Sequence, residues 1–255
     1  MYKIFDKTQF VGKQVIFLPK CRSTNDMASE KMRNGILGEG SIIITDHQYA
    51  GKGQRGNKWE SNVGENLTFS IVLEPTFIHP THIFYLNIIT SLAIIETLIH
   101  MGNHDFKIKW PNDIMYKNLK LGGILIETNI QSSRIKYAVI GIGLNVNQSE
   151  FYTTDQATSL KNIFNTSHDL NAVFNKVIRQ FEEEYMHLKS QNMDELVTRY
   201  LSNLYWLNEK HIFKSTKPNR EFQGVIKGID GSGRLQIDVG NRISTFNFKE
   251  IVYLR

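Results

Sequence analysis

From Ile83 to Ile99 the chain is apolar almost throughout, interrupted by Asn87, Thr90, Ser91 and Glu96. A membrane span wants about 20 predominantly apolar residues, so this interrupted stretch reads as a helix buried in a core. Pro80 can start it and Gly102 can end it. A length of 255 residues, 41% of them hydrophobic, supplies that core and suggests one sizeable domain with a small second one. The single cysteine, Cys21, excludes an intramolecular disulfide, and no Cys/His pair has zinc-ligand spacing. The first residues lack the apolar core of a signal peptide, so a cytoplasmic protein with no membrane partner is expected.

Around the buried helix the pattern alternates between helix and strand. A helix is expected from Asn25 to Arg33, with Ser23 or Thr24 as N-cap oxygen and Gly35 as its stop. Ser41 to Thr45 and Leu67 to Leu73 read as strands, and the Gly-rich, basic segment between them, His47 to Glu65, as a loop. Strand-like runs follow at Phe106 to Trp110, Gly123 to Glu127 and Tyr137 to Val146. From Asp169 to Lys189 apolar residues recur at three- and four-residue steps, which marks a helix with one buried face, and Met193 to Leu204 reads as another helix. Past Asn208 only short alternating strands remain, Glu221 to Ile229, Arg234 to Val239 and Ile243 to Phe248, with a turn signal at Asp230-Gly231. This switch divides the chain into residues 1–208 and a small β-domain, 209–255. Residues 1–209 carry 21 basic and 21 acidic side chains, and residues 210–255 carry 9 and 4, so the whole net charge of +5 sits in the tail. A basic tail fits nucleic acid, an acidic protein or solvent alone.

Gly51-Lys52-Gly53-Gln54-Arg55-Gly56 has the spacing of a dinucleotide fingerprint, and Glu74 falls near the ribose-binding distance. The third glycine should then open a helix, yet the residues after it have no helical stripe and include Gly64. A P-loop fails as well, because Asn57 and Lys58 follow Gly56. What remains is a loop whose backbone N–H groups and Lys52, Arg55 and Lys58 can surround an anion, or one that is merely solvated. Lys109-Trp110-Pro111-Asn112-Asp113 ends a strand and enters a turn, leaving Lys109 as a fixed point charge suited to phosphate or carboxylate. Trp110 alone fits a core position. The glycines of 122–123 and of 141 and 143 either floor a flat ligand or mark bulges. No Ser/His/Asp or Cys/His nucleophile can be assembled.

Taken in order, Ser23-Thr24-Asn25, the segment Gln48 to Trp59, Lys109 to Asp113 followed by Lys120 to Glu127, and Gly141 to Val146 resemble the catalytic domain of biotin protein ligases. The resemblance covers roughly residues 15–205. It implies an α+β fold: a mixed sheet flanked by helices, similar to class II aminoacyl-tRNA synthetases, followed by a small SH3-like β-barrel. It also implies two half-reactions, in which biotin and ATP form biotinyl-5′-AMP and pyrophosphate, and a lysine of a biotin carboxyl carrier protein or domain then displaces AMP. On this resemblance Lys109 and Lys52 are the catalytic residues. Ser23, Thr24, Asn25, Gln48, Lys52, Gly53, Gln54, Lys109 and Gly123 hold biotin, and Arg55, Asn112 and Asn145 contact ATP or the adenylate. Mg²⁺ accompanies ATP, with no protein metal ligand assigned. The double-Arg, triple-Gly motif of lipoate ligases is absent, and a lipoate or octanoate ligase or transferase of the same fold is the alternative. Ser23-Thr24-Asn25 begins so early that the short family form, without an N-terminal DNA-binding domain, is expected, and no specific DNA binding with it. Where the family reads GRGR this loop has Lys52 and Gln54; in an extended loop these two face the ligand and Arg55 points away. The basic tail is expected to assist acceptor docking.

Overall fold

The computed structural model describes residues 2, 8–102, 105–152, 156–240 and 242–254, with the backbone alone at Arg55. Strand β1 (Val15–Leu18), helix α1 (Thr24–Arg33) and strands β2 (Ile42–Thr45) and β3 (Leu67–Leu73) precede the long apolar helix α2 (Phe84–Ile99). Then come β4 (Phe106–Lys109), β5 (Asp113–Tyr116), β6 (Leu119–Gln131) and β7 (Arg134–Leu144), followed by α3 (Leu160–Phe164), α4 (Leu170–Lys189) and α5 (Met193–Ser202). The seven strands form one mixed sheet of order β1-β2-β3-β7-β6-β5-β4, in which β1 and β2 are parallel and the other neighbours antiparallel.

Helix α2 is buried on almost every side, between the sheet and helices α4 and α5. Its hydroxyls are satisfied within the helix, Thr90 and Thr97 donating to the carbonyls of Leu86 and Ala93 and Ser91 to Asn87 Oδ1, while Glu96 pairs with Arg199 of α5. That satisfaction is what lets a helix with hydroxyls sit in a core. By length and composition Pro80–Ile99 could cross a membrane, but most of it is buried inside this fold. On the other face of the sheet α1 covers a smaller cluster of Ala28, Ile43, Val72, Tyr137 and Val139. Strand β3 is therefore buried at every position, Thr68 and Ser70 between its apolar residues included.

A second, all-antiparallel sheet follows: β8 (Lys210–Thr216), β9 (Asn219–Ile229), β10 (Leu235–Asp238), β11 (Ile243–Phe246) and β12 (Ile251–Leu254), in the order β11-β10-β9-β8-β12. The α+β expectation holds, with the all-antiparallel sheet fitting a small SH3-like barrel. The two sheets meet at Trp110, 2% exposed, whose indole N–H donates to the Gly233 carbonyl at 2.8 Å. Phe248 packs against both Trp110 and Phe84. A Cβ at Gly233 would lie 2.1 Å from the Phe84 ring, so glycine is what lets this turn approach.

Several local expectations are corrected. Ser23 occupies the N-cap of α1 but its side chain makes no capping bond. As expected, the glycine loop opens no α-helix; it contains a 3₁₀ turn, Gln54–Gly56. The turn expected after Trp110 is brief, because β5 starts at Asp113. Helix α5 ends at Ser202 rather than Leu204. Strands β1, β5, β8 and β12 and helix α3 were not anticipated.

One carboxylate ties the start of the described core to α4. Glu182, 6% exposed, accepts from the backbone N–H groups of Gln9, Phe10 and Val11 at 2.6, 2.8 and 2.9 Å. Removing the acceptor leaves these donors with no partner, at about 1–3 kcal/mol for each one that stays buried. Glu182→Ala should therefore lower unfolding stability by at least about 2 kcal/mol in urea titrations. An unchanged midpoint would show that the segment is not held this way.

Candidate active site

Above the glycine-bearing ends of β6 and β7 lies a cleft of about 300 Å³. Ser23, Thr24 and Asn25 enter it from the start of α1, and Gln48 from the segment after β2. Lys52, Gly53 and Gln54 come from the glycine loop, Lys109 from the end of β4, Asn112 from the β4–β5 connection, and Gly123 from β6. Asn145 lines a wider adjoining cleft of about 1260 Å³. The side chain of Arg55 lies outside the described residues.

The polar anchors at α1 are held by one another. Gln48 Oε1 accepts from the Thr24 backbone N–H at 2.7 Å and lies 3.2 Å from the Thr24 hydroxyl. Asn25 Nδ2 donates to Leu125 O and to Glu127 Oε2, which fixes the orientation of its amide. Its Oδ1 can then only accept. Ser70, fully buried on β3, stands 2.7 Å from both Asn25 Oδ1 and Thr24 Oγ1. With one proton, Ser70 donates to Asn25, and the Thr24 hydroxyl proton goes to Ser70 or Gln48. The result is a fixed, uncharged rim. Ser70 was missed in the sequence because a lone serine inside an apolar strand carries no signal.

The glycines have two different jobs. A Cβ at Gly141 would lie 2.4 Å from Asn25 Oδ1, and one at Gly143 would lie 2.4 Å from the Trp59 indole. These two glycines admit the protein's own side chains, which is neither of the two alternatives, a ligand floor or a bulge, that the sequence left open. At Gly123 a Cβ would make only ordinary contacts, 3.5 Å to Lys120 and 3.6 Å to Trp59, so this glycine faces open cleft. Trp59 thus lies over the floor, with its Nε1 buried and unpartnered.

The loop bearing Trp59 is a small hairpin and not an extended strand. Lys52 and Lys58 form an antiparallel bridge, Gly53 N–H donates to Asn57 O, and Trp59 N–H donates to Gly51 O. Simple alternation of faces therefore stops at Gly53, although Lys52 and Gln54 both line the cleft. Lys52 Nζ is paired with Asp26, which also binds Arg22 Nε at 3.1 Å. Asn112 Nδ2 donates to Ile124 O at 2.6 Å, and Asn145 Nδ2 to Thr158 O at 3.0 Å, so both amides serve the scaffold. Asn145 Oδ1 is left buried without a partner.

Charge is lopsided here. The cleft is lined by Lys52, Lys58, Lys109, Lys120 and Lys249 against one carboxylate, Asp113, which Lys120 holds at 2.6 Å. Such a lining attracts anions and stabilises negative charge developing within it. No group of three or more His, Cys, Asp or Glu side chains occurs among the described residues, so these do not fit a resident metal. Burial pushes the Cys21 thiol up, which disfavours the thiolate a nucleophile needs. Lys120, Lys249 and Tyr253 were missed, the last two because their segment lies in the other sheet.

Gly143→Ala should expel Trp59 from the floor, seen as a red-shifted and more quenchable tryptophan emission. Gly123→Ala should leave the emission unchanged. The reverse pattern would contradict the seating of Trp59 on Gly143.

The biotin/lipoate A/B protein ligase family profile matches residues 17–145. The bifunctional ligase/repressor BirA of Bacillus subtilis is 28% identical over 242 residues, covering 93% of this chain and 73% of that protein. The biotin–[acetyl-CoA-carboxylase] ligase of Mycobacterium tuberculosis is 25% identical, covering 95% and 90%. Among solved structures, the biotin protein ligase of Aquifex aeolicus in complex with biotin and ATP superposes with a TM-score of 0.79 at 26% identity, covering 95% of this chain and 99% of that one. With the family profile spanning half of its length, this chain belongs to the biotin/lipoate A/B protein ligase family.

Proposed function

We propose that the chain is an ATP-dependent biotin–protein ligase, which forms biotinyl-5′-AMP and transfers biotin to a lysine of a carboxyl carrier protein or domain. The observation that carries this reading is the pairing of a fixed neutral rim at Thr24, Asn25 and Gln48 with five lysines against one aspartate. An uncharged bicycle wants the former, and a carboxylate brought against a triphosphate wants the latter. The relatives and neighbours named biotin ligases support the same conclusion.

In the first half-reaction a carboxylate oxygen of biotin attacks the α-phosphorus of ATP, and the bond to pyrophosphate breaks. Lys109, at the strand end, offsets the charge gathering on the α-phosphate, and Mg²⁺ enters as the counterion of ATP. Ser23, Thr24, Asn25, Gln48 and Gly123 hold biotin. Lys52, Gly53 and Gln54 close over it, Lys52 exchanging Asp26 for the ligand. Asn112 acts by pinning its turn to β6, and Asn145 offers its unpartnered Oδ1 to the adenylate. In the second half-reaction the acceptor amine attacks the biotinyl carbonyl carbon and AMP leaves. Residues 1–208 form the larger unit, which carries the assigned catalytic lysines, and 209–255 the β-domain that adds to the cleft wall; the protein works in the cytoplasm without specific DNA binding. Biotin in place of lipoate is tested directly, by asking which acid releases pyrophosphate from ATP in the presence of the protein.

Lys109→Ala should cost on the order of 10²-fold in the rate of biotinyl-adenylate formation, the usual effect of losing one charge-stabilising donor, with the fold intact by circular dichroism. Near wild-type turnover would end the assignment of Lys109. The acceptor surface is a hollow of about 420 Å³ on the second sheet, rimmed by Lys217, Arg220 and Arg242 over Phe222 and Phe246, with no carboxylate in its lining. Lys214 faces Glu221 across the β8–β9 ladder and is the weaker candidate. Reversing Lys217 and Arg220 to Glu should slow transfer to the carrier at low salt and leave adenylate synthesis unchanged. Equal transfer rates would remove the hollow from the acceptor path.

A further inference from the structure

Lys109 ends β4, the outermost strand of the large sheet, yet it does not end at a free edge. Ile108 N–H donates to Asn203 O and Tyr205 N–H donates to Ile108 O, both at 2.8 Å, so the segment joining the two sheets closes the edge. The strand that carries the lysine is thereby fixed, but its four-carbon side chain is not.

What meets that side chain comes from the far end of the sequence. Tyr253, on β12, lines the same cleft, and Lys109 Nζ lies over its ring, 4.9 Å from the centroid. The ring is itself immobilised: Tyr253 pairs with Phe213 across the β12–β8 ladder. It packs against Trp206 and Phe213 at 5.4 Å each, in the latter case edge-to-face. Its hydroxyl is buried with no hydrogen-bond partner. Burial holds the phenol far above its ordinary pKa, and the nearby Tyr200, Asp113 and Tyr205 add to this, so the group is neutral. The ring face, and not a phenolate, is therefore what the ammonium meets. The carboxylate nearest in register, Asp113, is held by Lys120.

We infer that Tyr253 is a positioning residue for Lys109, its ring face holding the lysine ammonium charged and aimed into the cleft, so that the β-domain completes the site of adenylate formation. An aromatic face favours the charged amine over the neutral one and restricts where it sits. The inference rests on the proposed adenylation reaction for its kinetic consequence, but the contact itself is measurable without any activity.

The first test is therefore spectroscopic and uses the full chain. In wild type, the Lys109 ε-methylene protons should resonate upfield of the other lysines through the ring current, with Lys109→Arg giving the assignment. The shift should persist in Tyr253→Phe and vanish in Tyr253→Leu. A Lys109 resonance at the ordinary lysine position in wild type overturns the inference outright. The second test is kinetic. Tyr253→Leu should lower kcat for biotinyl-adenylate formation by roughly tenfold, in the range of a desolvated cation–ring contact. KM for biotin and ATP should stay within about twofold, since the effect is on the transition state. Tyr253→Phe keeps the ring and should recover most of the rate; Tyr253→Met serves if the leucine variant does not fold. In a Lys109→Ala background the same substitutions should have no further effect on rate, because the partner is gone. Equal losses in both backgrounds, or a phenylalanine variant as slow as the leucine one, would make Tyr253 structural only. If wild type releases no pyrophosphate with biotin, the proposed activity fails, whereas an upfield Lys109 signal would still stand.

Discussion

The burial of one indole determines how the two halves of the molecule meet. On β4, Phe106 and Ile108 point into the core, and Lys107 and Lys109 to the other side. Trp110 continues the alternation inward, but at the end of the strand there is no more of its own sheet to cover it. It is covered instead by Gly233, which accepts its N–H, and by Phe248. A buried indole N–H without an acceptor is costly, so this bond specifies where the second sheet docks as well as stabilising it. The same alternation that sends Trp110 to the interface leaves Lys109 in the cleft. The residues of the motif thus divide the labour. Lys109 supplies charge, Trp110 docks the sheets, Pro111 ends the strand, Asn112 fastens the turn to β6, and Asp113 anchors Lys120.

Docking in this way brings Lys249, Ile251, Val252 and Tyr253 to the cleft wall, so neither sheet alone makes the site. The neutral and charged parts are held by opposite means. Thr24, Asn25, Gln48 and Ser70 bond to one another and to the backbone of β6, which fixes their geometry before any ligand arrives. Fixed dipoles cost no reorganisation during the reaction. The lysines sit on longer stems, and Lys52, Lys120 and Lys109 contact Asp26, Asp113 and the Tyr253 ring. These contacts can be exchanged, as a site that must admit a triphosphate and release pyrophosphate requires.

The sequence revealed what is local and periodic. The apolar stripe of α4 was readable because it is set by spacing, and in the structure Asp169 caps the first turn by accepting from the Asn171 and Ala172 N–H groups. The glycines of β7 were readable as close approaches, but not what approaches them, since Asn25 and Trp59 are distant in sequence. Strand β5 was obscured by Pro111, which forbids a ladder bond at its own position and says nothing of the residues after Asn112. Strand β6 runs on to Gln131 through Thr128 and Asn129, polar residues that belong where a hairpin overhangs the sheet. Strand β8 was hidden by its lysines and serine, and β12 by being only four residues long, and with β12 went Tyr253. The candidate residues themselves gathered well, because a motif carries its members to one place even where the roles of Asn112 and Asn145 differ from expectation.

The excess of lysines also bears on the second half-reaction under the proposed function. A cleft lined by five lysines and one aspartate remains positive when a single adenylate phosphate occupies it. An acceptor lysine arriving as an ammonium ion meets like charge in a confined space, which lowers its pKa and favours the neutral amine. The neutral amine is the form that can attack the acyl carbon. The charge distribution that opposes carboxylate–phosphate repulsion in the first step thus prepares the nucleophile in the second. No general base is then needed to strip the incoming amine, and the described lining offers only Asp113 as a candidate base, already bound to Lys120. Electrostatics of one sign serves both half-reactions because the first must stabilise a growing anion and the second must exclude a cation.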